Sequence, residues 1–370
     1  MIPIPKTGDY MVMQCLSALL VLVNGLLIAV NSGPVQAQGD VRHGVILQYH
    51  HVSDSAPAST RVTPKAFRRH MEILKEDGFN VWPLARLVAF LQQDKALPDK
   101  TVVITIDDAY LDVYQNAAPI LNEFGYPFTL FVSTDPVDQK LRGFMSWDQL
   151  RELQKQGAQL ANHTQSHLHL LRKLEGESES EWLARIESEL KQSEARIAEE
   201  TGANWKYFAY PYGEVNERLL KKIQEWGFLG FGQQSGAVDK ALLNSGIAPR
   251  FPFNEHYVDE KAFRLKAASL PLPIAKESSE PIVWSKPAKP QLKLTLKAVN
   301  GALTCFASDQ GEINVVKTAD KEFTIQSDTA IPVGRSRYNC TMPVAGQQGR
   351  YHWYSKTWIR KRDDGSWYRE

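Results

Sequence analysis

From Gly44 to Arg250 the chain repeats one unit, a short β-rich run followed by a segment with helical periodicity. GVILQYH reads as a strand. TPKAFRRHMEILKEDG reads as a helix, with Thr63 as N-cap, Pro64 at the first helical position, Phe67, Met71 and Leu74 on one face, and Gly78 at the end. TVVITI, PFTLFVS, AQLAN, KYFAYPYG and GFLGFG continue the strands. APILNEFG, SWDQLRELQKQG, SEWLARIESELKQSEARIAEETG and NERLLKKIQEWG supply helices between them. Adding FNVWPL and GIAPRF gives about eight strands. Strands joined through helices return to the same end of a sheet and pair in parallel. The expected fold class is α/β, a distorted (β/α) barrel.

After this region the character changes. SLPLPIAKESSEPIVWSKPAKP carries five prolines, which do not fit the interior of regular elements. A linker is expected over 271–290. Beyond it LKLTLKAV alternates apolar and polar residues, and EFTIQS, RYNCTMPV and RYHWYSKTWIRKR are strand-like. Residues 291–370 are expected to form a small all-β, sandwich-like domain. Cys305 and Cys340 both fall in it; they form a disulfide or remain two buried thiols. Tyr351, Trp353, Tyr354, Trp358, Trp367 and Tyr368 crowd the same region. Flat rings of this kind stack on sugars, and they equally build a sandwich core.

At the other end, Met11 to Val30 is almost wholly apolar and is followed by NSGPVQAQ, where Val35 and Ala37 are the small residues of a processing site. Residues 1–37 are expected to be a signal peptide, so the mature chain, 38 onward, is exported to the periplasm or secreted, with no stable membrane span. The alternative is a retained anchor. The 43 basic and 42 acidic residues leave a net charge of +1, which gives no argument for a nucleic-acid partner.

Parallel barrels gather functional side chains at the C-terminal ends of strands. Four such ends carry chemistry here: His50 after VILQY, Asp107 and Asp108 after TVVITI, His163 and His167 after AQLA, and Tyr-Pro-Tyr-Gly after YFA. Two imidazoles and one carboxylate make a three-ligand site for Zn²⁺, tolerant of Co²⁺, Ni²⁺ or Fe²⁺. Neighbouring strand residues point in different directions. One aspartate can therefore hold the metal while the other faces activated water.

TIDDAY, HTQSH and AYPYG resemble the three leading motifs of the polysaccharide deacetylases, the NodB-homology family of carbohydrate esterases (family 4). The resemblance spans Gly44 to Arg250. It implies Asp107 as the general base, Asp108, His163 and His167 as metal ligands, and the backbone N–H of Tyr212 as an oxyanion donor. Asn162 and Thr164 are packing and hydrogen-bonding neighbours. The family's arginine in the third motif is replaced by Ala209. Arg250, near a late strand end, is the candidate substitute. No leucine-x-histidine motif follows; Tyr49-His50-His51-Val52 instead resembles the circularly permuted poly-N-acetylglucosamine deacetylases, which makes His50 the candidate general acid. His169 competes with His167 for the ligand position, and His43 and His51 receive no role. The implied activity is metal-dependent removal of N-acetyl groups from an extracellular or cell-wall polysaccharide. A glycan-binding protein that has lost turnover, and an O-acetyl esterase or amidase on the same scaffold, are the alternatives.

Overall fold

The computed structural model describes residues 40–369, so the expected signal peptide over 1–37 lies outside the described residues. The main sheet has nine strands, seven of them on one continuous path: β1 (His43–Tyr49), β2 (Thr101–Asp107), β3 (Phe128–Val132), β4 (Gln159–Asn162), β5 (Tyr207–Ala209), β6 (Leu229–Phe231) and β7 (Ala237–Asp239), with the short strands Asn80–Val81 and Phe251–Pro252 beside β2 and β1. Their spatial order is β7-β1-β2-β3-β4-β5-β6. Pairing from β1 through β6 is parallel, as the helical crossovers require, and only β7 runs antiparallel to β1. Ala248 bridges to Phe231 in β6 while Phe251–Pro252 pairs with β1, so this one segment links the edge strand β6 back to β1 and curls the sheet into a distorted barrel. β2 is buried along its whole length, which is why TVVITI shows no polar alternation.

The helices begin where the capping chemistry places them. The Thr63 side chain accepts from Ala66 N–H ahead of Pro64–Glu76, and Phe67, Met71 and Leu74 are buried as their spacing predicts. Ser146 and Gln149 form a capping box at Trp147–Lys155, and Ser178 and Glu181 form another at Glu179–Thr201. Directly after the paired aspartates, Val113–Ala117 winds as a π-helix before Ala118–Phe124 continues in α geometry. Such wide turns recur beside functional sites.

The second sheet contains β8 (Ile274–Ser279), β9 (Gln291–Leu296), β10 (Thr304–Ala307), β11 (Gly311–Ala319), β12 (Glu322–Gln326), β13 (Gly334–Pro343) and β14 (Tyr351–Arg360). β11 pairs with β10 through Gly311–Ile313 and with β12 from Asn314 onward, so it turns the sheet over a shared apolar core that includes Ile325, Tyr338 and Trp358. Cys305 and Cys340 face each other across β10 and β13 and are disulfide-bonded.

The stretch expected as a linker is woven into this sheet. β8 pairs antiparallel with β9, while Leu270–Pro271 and Val283–Trp284 pair with β14. Pro271 ends the first short strand, and the other four prolines lie outside the strands. Proline is excluded from positions that must donate within a ladder, not from strand ends. The barrel and the second sheet also share apolar packing: Phe208 and Tyr210 of the barrel cluster with Ile282, Ile359 and Tyr368. Most of the C-terminal rings take part in packing. Trp358 and Tyr354 lie in the second core, Trp353 meets Phe251 edge-on, and Tyr368 is buried against the barrel.

Candidate active site

β2 delivers Asp107 as its last residue, fully buried. The backbone then turns left-handed, with φ of 78° at Asp108 and 59° at Ala109. This turn, more than strand alternation, separates the two carboxylates. Asp108 N–H stays bonded to the Phe131 carbonyl of β3. At the end of β4, Thr164 and His167 are also left-handed, with φ of 69° and 56°. Asn162 Oδ1 accepts from Thr164 N–H, and Thr164 Oγ1 accepts from His167 N–H. Ten non-glycine residues among those described have positive φ, and Asp108, Ala109, Thr164, His167 and Tyr212 are five of them. Backbone strain is therefore concentrated around this site.

These bends bring Asp108 Oδ1 to 3.1 Å from His163 Nε2 and 3.2 Å from His167 Nε2. The ligand atoms of all three residues lie within 4.8 Å of one another. Asp108 Oδ1 and His163 Nε2 are buried and find no well-aligned hydrogen-bond partner, the kind of unsatisfied pair that a shared cation would answer. His163 Nδ1 lies 2.8 Å from the Ala209 carbonyl. That carbonyl can only accept, so Nδ1 carries the hydrogen and Nε2 presents its lone pair inward. Burial alone would push the Asp108 carboxyl up, but His163 and His167 hold it well below the usual range. Burial would lower His163, and Asp108 and Asp107 outweigh it and raise it. The pocket thus favours positive charge, and the donor set fits a divalent cation.

Asp107 faces a different set. Arg250 Nη1 donates to Oδ1 at 2.7 Å and Nη2 to Oδ2 at 2.8 Å, and both side chains are fully buried. Arg250 Nε donates to the Gly232 carbonyl at 2.8 Å. Gln48 Nε2 donates to Asp107 Oδ2 at 2.7 Å. Burial would raise the Asp107 carboxyl; Arg250, His163 and His50 hold it below its ordinary value. His50 Nε2 lies 3.9 Å from Asp107 Oδ2, and its burial pushes its pKa down despite the two aspartates.

Tyr212 completes the rim in a left-handed conformation at φ 60°. Its ring stacks on His169 at 3.8 Å between centroids. His169 Nδ1 pairs with Glu214 Oε2 at 3.1 Å, so His169 belongs to that carboxylate and not to the ligand set. His51, without a role in the sequence, pairs with Asp112 at 2.6 Å and stacks on Tyr110 at 3.6 Å. His43 lies at the far end of β1. Gln48, Tyr110 and Glu214 escaped the sequence reading. Only Gln48 left a trace there, a lone amide in an apolar strand. A cavity of about 180 Å³ between the barrel and the second sheet, lined by Leu220, Ile247, Trp353 and Glu277 among others, holds none of the site residues. The convergent side chains, not this hollow, locate the site.

Fold and site together define a largely parallel α/β barrel whose strand ends bring Asp108, His163 and His167 together, a set that could hold a metal ion, beside a clamped carboxylate. Residues 94–231 match the family model described as polysaccharide deacetylase, and the chain carries a polysaccharide deacetylase domain of the NodB-homology type. Among curated relatives, it is 26% identical over 239 residues to the poly-β-1,6-N-acetyl-D-glucosamine N-deacetylase of Escherichia coli K12, covering 54% of this chain and 35% of that protein. It is 28% identical over 185 residues to the enzyme of the same name from Staphylococcus epidermidis, covering 48% and 63%. The chain thus spans less than two thirds of the length of these relatives. Solved structures similar in fold include Streptococcus pyogenes deacetylase PplD, with TM-score 0.53, 21% identity and coverage of 59% and 95%. IcaB from Ammonifex degensii aligns with TM-score 0.52, 23% identity and coverage of 62% and 98%.

Proposed function

We propose that the chain is a metal-dependent hydrolase that removes N-acetyl groups from an acetylated glucosamine polysaccharide. The observation that carries this reading is the convergence of Asp108 Oδ1, His163 Nε2 and His167 Nε2 beside an Arg250-clamped Asp107. The names of the Escherichia and Staphylococcus relatives support the substrate class. Asp108, His163 and His167 would hold the ion, with Zn²⁺ suited to two imidazoles and one carboxylate. When bound, such an ion acidifies water and polarises the acyl oxygen.

The protein's own groups then divide the proton traffic. Asp107 is kept ionised by Arg250 and Gln48, and its oxygens are oriented to accept a proton from the attacking water. The acyl carbon becomes tetrahedral, and the Tyr212 N–H is the donor for the oxygen that gains charge. The C–N bond breaks when the nitrogen receives a proton, leaving acetate and a free amine. His50 is the acid for that step. Burial pushes its pKa down, and its Nε2 lies 3.9 Å from Asp107 Oδ2, beyond direct hydrogen-bond reach, so the proton that Asp107 takes would pass to it through an intervening water. An exported location is supported by the Cys305–Cys340 disulfide, since such bonds persist in oxidising compartments.

The test is release of free acetate from a panel of β-1,6- and β-1,4-linked N-acetylglucosamine oligomers and O-acetylated sugars. Acetate from an N-acetylated oligomer, abolished by chelator and restored by Zn²⁺, is the expected result. Release from O-acetyl sugars alone would overturn the amidohydrolase reading, and tight glycan binding without acetate would overturn turnover altogether.

A further inference from the structure

Tyr212 occupies a conformation that a tyrosine does not hold unaided. A left-handed backbone is strained for any L-residue with a side chain. Its turn is also tight: a side chain on Gly213, itself at φ 67°, would meet Gln233 Cβ at 2.9 Å. Something outside the turn must keep it in place, and two restraints come from the second sheet and the tail that follows it. The Tyr212 carbonyl accepts from the guanidinium of Arg335, on β13 and 123 residues away. The Tyr212 ring stacks on His169, tilted only 9° from parallel. His169 is set in turn by Glu214, a fully buried carboxylate whose other oxygen accepts from the Tyr368 hydroxyl at 2.5 Å. Tyr368 lies beyond β14, 154 residues from Glu214.

We propose that the C-terminal sheet is a working part of the reaction centre, with Arg335 and Tyr368 as positioning residues that hold the Tyr212 turn. Arg335 fixes one face of the Tyr212 peptide directly. Tyr368 acts through Glu214 and His169 on the ring. Both act on rate through the placement of the Tyr212 peptide. This rests on the reading of Tyr212 as the oxyanion donor, and it gives the second sheet a role in turnover that needs no sugar contact.

The experiment uses full-length Arg335→Ala, Arg335→Lys and Tyr368→Phe. Three quantities are measured: kcat and KM for acetate release from N-acetylglucosamine oligomers, zinc stoichiometry, and hydrogen exchange of the peptide spanning 210–216. Arg335→Ala should lower kcat roughly tenfold or more, since small misplacements of a reacting group carry penalties of that order. KM and zinc stoichiometry should hold. Exchange in 210–216 should quicken, and Arg335→Lys should restore most of the rate by offering another donor to the same carbonyl. Tyr368→Phe should reproduce the pattern more weakly with an unchanged far-ultraviolet dichroism spectrum. Wild-type exchange in 210–216, or quickened exchange with wild-type kcat, overturns the proposal. Should the wild-type chain release no acetate, the functional reading falls by itself, and the exchange measurement still decides whether the second sheet holds the turn.

Discussion

Arg250 and Asp107 form a fully buried ion pair, so removing one partner leaves a charge with little else to answer it. Arg250→Ala should cut kcat about 10²-fold, because Asp107 loses its two-point clamp and with it its orientation. It should also cost about 3–5 kcal/mol of stability, the range for breaking a buried pair, readable by urea titration. Unchanged turnover would remove Arg250 from the mechanism. Asp108→Asn should abolish stoichiometric zinc uptake in a calorimetric titration while leaving the Arg250 clamp intact. A further expectation concerns His70, whose Nε2–H donates to the Val258 carbonyl and whose Nδ1 accepts from the Tyr49 hydroxyl. Burial pushes His70 down to about 4, and His43 shifts in the same direction to about 4. A histidine depressed on folding contributes stability that is present above its ordinary value of 6.5 and lost as pH falls toward the folded value. That gap is roughly 3 kcal/mol for His70 at pH 4. Denaturant midpoints measured from pH 7 to pH 4 should fall accordingly, and His70→Gln should flatten the decline.

Among the elements, β10 and β13 are tied by the disulfide across directly paired positions, closing a separation of 35 residues. Replacing both cysteines by alanine should lower unfolding free energy by about 4 kcal/mol on the loop-entropy account. Mild reductant should produce the same loss in the wild-type chain; equal stability in both forms would refute the assignment. The strands and helices of the barrel were legible because their signals are local. Thr63 with Pro64, the buried run before Asp107, and the four-residue step from His163 to His167 can each be read within one element. The clamp on Asp107 was legible only in part. Arg250 stood out because Ala209 is not an arginine, whereas Gln48 looked like one amide in an apolar strand. Glu214 could not be read at all, since the tyrosine that gives it a purpose lies 154 residues away. The prolines of 271–290 misled for a physical reason: proline signals a missing donor, and strand ends do not need one.

At the scale of the molecule, the barrel and the second sheet do not behave as beads on a string. Ile282, Ile359 and Tyr368 share a core with Phe208 and Tyr210. Arg350 clamps Asp99 with two bonds of 2.8 and 2.9 Å, and Glu217 accepts from Ile282 N–H at 2.8 Å. One calorimetric transition is therefore expected for the whole chain, and two well-separated peaks would contradict this packing. The same continuity explains how one positive charge can be encoded far from the motif that normally names it. Ala209 in β5 pairs with Phe231 in β6, and Phe231 bridges to Ala248, two residues before Arg250. The guanidinium enters the same chamber by a neighbouring door. A search keyed to the letters around Pro211 would discard such a chain as degenerate, although the acid it serves has kept its counterion.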